Sequence, residues 1–187
     1  MKSVAIIYGW AEGSWQGKKF VKELHRNGFT IAENAKNADI IFAHSAGCYL
    51  VPKDTKAKLV VLAGLPYWPG RNLVSGLIRK LINEVRYHRR NKGLGWWLNK
   101  IAHSGWYIIS RPQKTYYLVT RHKIANLHDR INAKVLLVRA SDDTFLHPNA
   151  VSMLPRGKKY RYVEIPGAHD DCWFEPKPYI DLLLKEL

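Results

Sequence analysis

The sequence predicts an α/β protein, a parallel three-layer sheet of about five or six strands with an inserted helical cap, and three observations carry this. Short runs rich in Val, Ile and Leu, bounded by glycine or turn residues, alternate with helix-length connections. At 187 residues the chain suits one domain, residues 1–187, with a sizeable core. One stretch, residues 69–130, breaks the alternation and differs from the rest in charge. Hydrophobic residues at 47% and charged residues at 24% exclude a disordered chain.

The first run, Ser3 to Tyr8, ends at Gly9 and reads as a buried parallel strand. Glu12-Gly13-Ser14 leads into a helix over about Trp15 to Asn27, where Phe20, Val21 and Leu24 recur at helical spacing and Gly28 is a natural stop. A second strand spans Asp39 to His44 and runs straight into the small-residue turn Ser45-Ala46-Gly47. Further strands follow at Lys58 to Ala63, Lys134 to Arg139 and Tyr160 to Ile165, and an amphipathic helix near Pro178 to Leu187 closes the chain. Strands joined by such connections imply right-handed crossovers, hence a parallel sheet with helices on both faces.

The stretch 69–130 carries the charge. The chain has 30 Lys and Arg against 15 Asp and Glu, a net +15. Twelve of those basic residues fall between Arg71 and Lys123, where Glu84 is the single acid. Residues Leu73, Val74, Leu77, Ile78, Leu81, Ile82 and Val85 form an apolar stripe at i, i+3, i+4 spacing, and Trp96, Trp97, Trp106 and Tyr107 follow among glycines and lysines. An insertion of this kind between two strands reads as a cap over the sheet's C-terminal edge, where open α/β sheets bind ligands. Three uses compete: a lid whose stripe shapes a pocket, a basic and aromatic surface for anionic lipid, and a nucleic-acid surface. The lid leads and lipid follows; nucleic acid comes last because no recognised binding motif accompanies the charge.

Two cysteines, Cys48 and Cys172, are too few for a disulfide scaffold and point to a reducing, cytoplasmic setting. No run reaches the roughly 20 apolar residues of a membrane span. The opening MKSVAIIYGW is too brief for a signal sequence and suits a first strand.

Three segments carry candidate chemistry. Ala43-His44-Ser45-Ala46-Gly47 ends a strand, and a nucleophile on a sharp strand-to-helix turn needs small residues two before and two after it. Ala140-Ser141-Asp142-Asp143 sets carboxylates after a strand, and Pro166-Gly167-Ala168-His169 does the same for a histidine. Each has a plain reading too: a serine helix cap, an aspartate-initiated turn, a loop histidine. Together they give Ser, then Asp, then His, each after a sheet strand.

In that order, and in the motifs AHSAG, ASDDTFLHP and PGAHDD, the chain resembles the α/β-hydrolases over most of its length outside residues 69–130. The resemblance implies a serine hydrolase, of esterase or related acyl-hydrolase type, acting on a small-molecule acyl substrate. Ser45 would be the nucleophile, His169 its base and Asp143 the orienting acid. The family's acid lies three residues after a Gly. Ala140 holds that place here, which selects Asp143 over Asp142. Likeness of Tyr8-Gly9-Trp10 to the family's His-Gly-X loop makes the backbone N–H of Trp10, with that of Ala46, the oxyanion hole. The chemistry calls for no cofactor, and the histidines lack metal-ligand spacing. His44 and Cys48 read as packing residues, and the triad order gives Cys172 no part. Ala43, Ala140 and Ala168 replace residues commonly Gly in these motifs. Ala43 and the basic stretch support the rival reading, a non-catalytic binding protein of this fold that uses its cap on an anionic partner.

Overall fold

The computed structural model describes residues 1–66, 93–120, 131–143, 145 and 157–187. Its elements, in chain order, are β1 (Ser3–Ile7), α1 (Ser14–Arg26), β2 (Thr30–Ile31), β3 (Ile40–His44), a 3₁₀ turn (Ser45–Leu50) and β4 (Leu59–Ala63). Then come α2 (Gly93–Ser110), α3 (Pro112–Thr120), β5 (Lys134–Ala140), β6 (Tyr160–Ile165), α4 (Asp171–Phe174) and α5 (Lys177–Lys185).

The six strands form one sheet in the order β2-β1-β3-β4-β5-β6, every pair parallel. It is an α/β-hydrolase-like sheet, as the motifs suggest. Going from β2 to β3, the chain passes over β1 and reverses its direction of travel, so a topological switch lies between β1 and β3. The register pairs Ile7 with Ala43, His44 with Ala63, Ala63 with Val138, and Ala140 with Ile165. The loops after β1, β3, β4, β5 and β6 therefore leave the sheet along one edge, and the Gly9 and Ser45 turns flank the switch.

Burial on both faces explains why the strands read as unbroken apolar runs. Alternate residues of β3 divide between two clusters: Ile40 and Phe42 join Phe20, Leu24, Trp173, Ile180 and Leu183 on the face covered by α1, α4 and α5. Ile41 and Ala43 join Cys48, Val51, Val60, Ile131 and Val135 on the other. The first cluster is aromatic at its centre, with Phe20 on Phe42 at 4.4 Å and Trp173 edge-on to both. Among the described residues, the second face is covered by the 3₁₀ turn and by connections around Ala57 and Ile131 rather than by a helix packed along the strands.

Two local features differ from the sequence reading. The two-residue β2 is too short to leave a periodic pattern, and only its pairing with Ser3 and Val4 reveals it. After Ser45 the chain makes a six-residue 3₁₀ turn instead of a longer helix. Helix α1 ends as expected: Gly28 adopts φ 79° just past its last turn.

Helix α2 lies over the loop edge with its polar side inward. Lys100 is buried, His103 stacks on Trp15 at 4.7 Å, and Tyr107 meets Trp10 edge-on at 6.3 Å. Its outward side exposes Leu94, Leu98, Ile101, Ile108 and Ile109, with Trp106 beside them. The expected apolar stripe from Leu73 to Val85 lies outside the described residues. No described helix is long and apolar enough to cross a membrane.

Candidate active site

Ser45 is the first residue beyond β3 and adopts φ 52°, the left-handed region that costs a residue with a side chain about 1–2 kcal/mol. Close packing of glycine backbones holds it there. A Cβ on Gly47 would lie 2.6 Å from the carbonyl oxygens of both Ile7 and Tyr8, and one on Gly9 would lie 2.8 Å from Ser45 Cβ. The β1 loop and the β3 turn thus abut without room for a methyl group. At Gly9 and Gly47, glycine is a requirement of this contact rather than of the turns alone.

His169 follows β6 and reaches Ser45 with Nε2, 2.9 Å from Oγ, while its Nδ1 lies 2.9 Å from Asp143 Oδ2. Asp143 is buried after β5, and its other oxygen accepts the N–H of Phe145 at 2.8 Å. In the tautomer that suits a Ser-His-Asp arrangement, Nδ1 donates to Asp143. Nε2 is then free to accept from the Ser45 hydroxyl. The acid and histidine loops are laced together: Ser141 N–H donates to Ile165 O, Asp142 N–H to Gly167 O, and Gly167 N–H to Ser141 Oγ. Asp142 itself is exposed and does not join the chain of side chains. Gly64, at φ 59° beyond β4, passes under the imidazole, and a Cβ there would sit 2.9 Å from the ring of His169.

Of the residues read as the oxyanion hole, Ala46 directly follows Ser45 and is buried. Trp10 sits in the β1 loop that abuts Ser45, and its indole N–H donates to Thr115 Oγ1 of α3 at 3.3 Å. Ala43 is fully buried in β3 and leaves the Ser45–His169 contact intact. Cys48 is buried with its thiol directed at the carbonyls of Ala43 and Ala63, and burial pushes that thiol well above its ordinary range. An inert packing cysteine follows.

Beneath the serine lies a polar network that sequence reasoning missed. His44 is completely buried, yet both ring nitrogens are bonded. Nδ1 lies 2.8 and 2.9 Å from the two oxygens of Glu12, and Nε2 lies 2.8 Å from the carbonyl oxygen of His169. Glu12 also accepts the N–H of Gly9 at 2.7 Å. Burial opposes the charge on His44, but Cys172 and Glu12 overcome it and raise the imidazole well above its ordinary value. Burial likewise opposes ionisation of Glu12, and His44 outweighs it and lowers the carboxyl. Lys100, buried on α2, pairs with Asp170, next to His169. Against the cost of burial, Lys100, then His169 and His44, hold Asp170 well below the carboxylate range. Cys172 faces His44, and burial pushes its thiol up to about 11. The one signal in the sequence was a histidine inside an apolar strand, which a buried position obliges to find partners.

His44, His169 and Asp170 offer ligand atoms within 4.8 Å of one another. Each is already bonded to protein: His44 to Glu12 and a carbonyl, His169 to Asp143 and Ser45, and Asp170 to Lys100. The cluster reads as a hydrogen-bond network.

No family model matches the chain, and no curated protein resembles it in sequence. Solved structures share its fold. A meta-cleavage product hydrolase from Pseudomonas fluorescens superposes with TM-score 0.70 at 10% identity, over 99% of this chain and 90% of that one. A probable hydrolytic enzyme from Pseudomonas aeruginosa gives 0.68 at 12%, over 100% and 85%. An esterase from a Rhodococcus species gives 0.65 at 15%, over 98% and 89%. The chain has the α/β-hydrolase fold.

Proposed function

We propose that this chain is a serine hydrolase that cleaves an ester or related acyl bond of a small-molecule substrate through Ser45, His169 and Asp143. The supporting observation is the continuous bond chain from Asp143 through His169 to a serine held in a strained turn. The solved structures of this fold include enzymes whose names describe esterase and hydrolase activity.

In the forward step, the Ser45 Oγ–C bond forms as His169 Nε2 takes the hydroxyl proton, and Asp143 stabilises the resulting imidazolium. Charge moves onto the substrate's carbonyl oxygen, where the N–H groups of Trp10 and Ala46 receive it. The C–O bond to the leaving group breaks as His169 returns the proton to that group. Water, deprotonated by the same imidazole, then attacks the acyl-enzyme and frees Ser45. The chemistry uses no cofactor or metal. Hydrolysis of short-chain p-nitrophenyl esters tests the assignment. Ser45→Ala is expected to lower kcat at least about a thousandfold without changing the melting temperature by more than a few degrees. Native-like turnover in that variant would contradict it.

The stretch 69–130 serves in this reading as a cap, and its outward face suits anionic lipid. Residues 93–123 contain no acid, and α2 turns Leu98, Ile109 and the 68%-exposed Trp106 outward. Two free, buried cysteines fit a reducing, cytoplasmic setting.

A further inference from the structure

Two loops must hold their places for Ser45 to react: the β1 loop, which carries Trp10, and the loop after β6, which carries His169. Helix α1, which follows the first loop, packs against α4, which follows the second. Nearer to Ser45 the two loops are joined through Glu12 and His44. Glu12 grips the β1 loop by the N–H of Gly9, and His44 grips the histidine loop by the carbonyl of His169. The link between the two side chains is a double contact at 2.8 and 2.9 Å, and both are buried.

Hydrogen-bond roles and the surrounding charges together define the state of the link. A carbonyl oxygen can only accept, so His44 Nε2 must donate to His169 O. The Glu12 oxygen facing Gly9 N–H must also accept. One proton is then shared between the other oxygen and Nδ1, and the lowered Glu12 carboxyl and raised His44 imidazole put it on Nδ1. A histidine donating from both nitrogens is an imidazolium. Other charged or titratable groups face it from every side: His169, Asp170 and Cys172 from the last loop and α4, and Lys100 from α2.

Resting on the serine-hydrolase reading above, we propose that Glu12 and His44 are positioning residues. Their buried ion pair clamps the oxyanion loop to the histidine loop and so sets the distance between His169, Ser45 and the Trp10 N–H. Neither residue touches the reacting atoms. The pair acts through Gly9 and through the backbone of His169, and its loss should slow chemistry while sparing substrate affinity.

Ring-nitrogen NMR of the native protein reads the pair without reference to turnover, with His44 assigned through its contact with Trp173 (ring centres 5.1 Å apart). Two protonated nitrogens are expected at neutral pH; a single ring proton would overturn the proposal. Inactivation by a fluorophosphonate then reads the clamp. In Glu12→Ala and His44→Phe the maximal rate should fall about a hundredfold, with half-saturating probe concentration shifted by less than about threefold. Glu12→Gln can still accept from Gly9 with its carbonyl and donate to a neutral His44 with its amide. It should therefore recover about tenfold over Glu12→Ala. Folded Glu12→Ala protein reacting at the native rate would overturn the clamp, and so would a Gln variant no better than Ala. Should His44→Phe not fold, the Ala–Gln comparison still decides. If the native protein resists the probe while His44 is doubly protonated, the ion pair stands and the hydrolase reading is what has failed, taking the positioning role with it.

Discussion

Ser45 sits at φ 52° because Gly9 and Gly47 let two backbones approach more closely than any side chain allows. Gly47→Ala would force a methyl to 2.6 Å from two carbonyl oxygens, and rigid backbone cannot yield as a side-chain tip can. A loss of about 1–3 kcal/mol in urea unfolding is expected, together with loss of esterase activity. Gly64→Ala meets both a left-handed φ and the His169 ring at 2.9 Å, and should cost activity more than stability. An unaltered turnover number in Gly64→Ala would contradict that. Residue identities were readable from sequence to different depths. Ser45, Asp143 and His169 each follow a strand and stand in a recognisable local pattern, so they could be chosen from sequence. Glu12 looked like a helix lead-in and His44 a packing residue, because their pairing spans 32 positions and leaves no local trace.

At the level of elements, one ion pair fastens α2 to the loop carrying His169. Lys100 is 2% exposed and Asp170 5%, and removing one partner strands the other charge out of water. Lys100→Ala is expected to cost about 3–5 kcal/mol in denaturant unfolding, whereas the double variant Lys100→Met, Asp170→Leu should recover most of it. A Lys100→Ala variant as stable as the native chain would place the pair in a looser setting than described. The sequence could not show this because Lys100, His103 and Tyr107, at i, i+3 and i+7 on α2, form a polar side. By pattern alone that side faces water. It turns inward because Trp10, Trp15 and Asp170 supply partners there. The strands were legible for the opposite reason: burial on both faces forces Ile40 to Ala43 and Leu59 to Ala63 to be apolar throughout.

Across the whole molecule, charge governs both stability and surface behaviour. Glu12 and Asp170 lie below their ordinary values in the fold, so the unfolded chain binds more protons as pH drops through the carboxylate range. Their stabilisation is full above that range and is lost as pH falls through the folded values. His44 is raised, so its contribution is present below its ordinary value and is lost only as pH rises through the elevated one. Melting temperature should therefore hold through neutral pH and fall below about pH 4, less steeply in Glu12→Gln. A net charge of +15, with an acid-free stretch beside an outward apolar helix face, also bears on partners. Binding to vesicles containing phosphatidylglycerol should exceed binding to phosphatidylcholine alone and weaken as salt rises past about 0.15 M. Leu98→Glu with Ile109→Glu should reduce it, and equal binding to both vesicle types would exclude an anionic surface as partner.

Labelling by a fluorescent fluorophosphonate, followed by intact mass, tests the activated serine most directly. The expected result is one adduct on the native protein, located at Ser45, and none on Ser45→Ala or His169→Ala. A folded native protein that stays unlabelled would contradict the serine-hydrolase reading and leave a non-catalytic protein of this fold acting on an anionic partner.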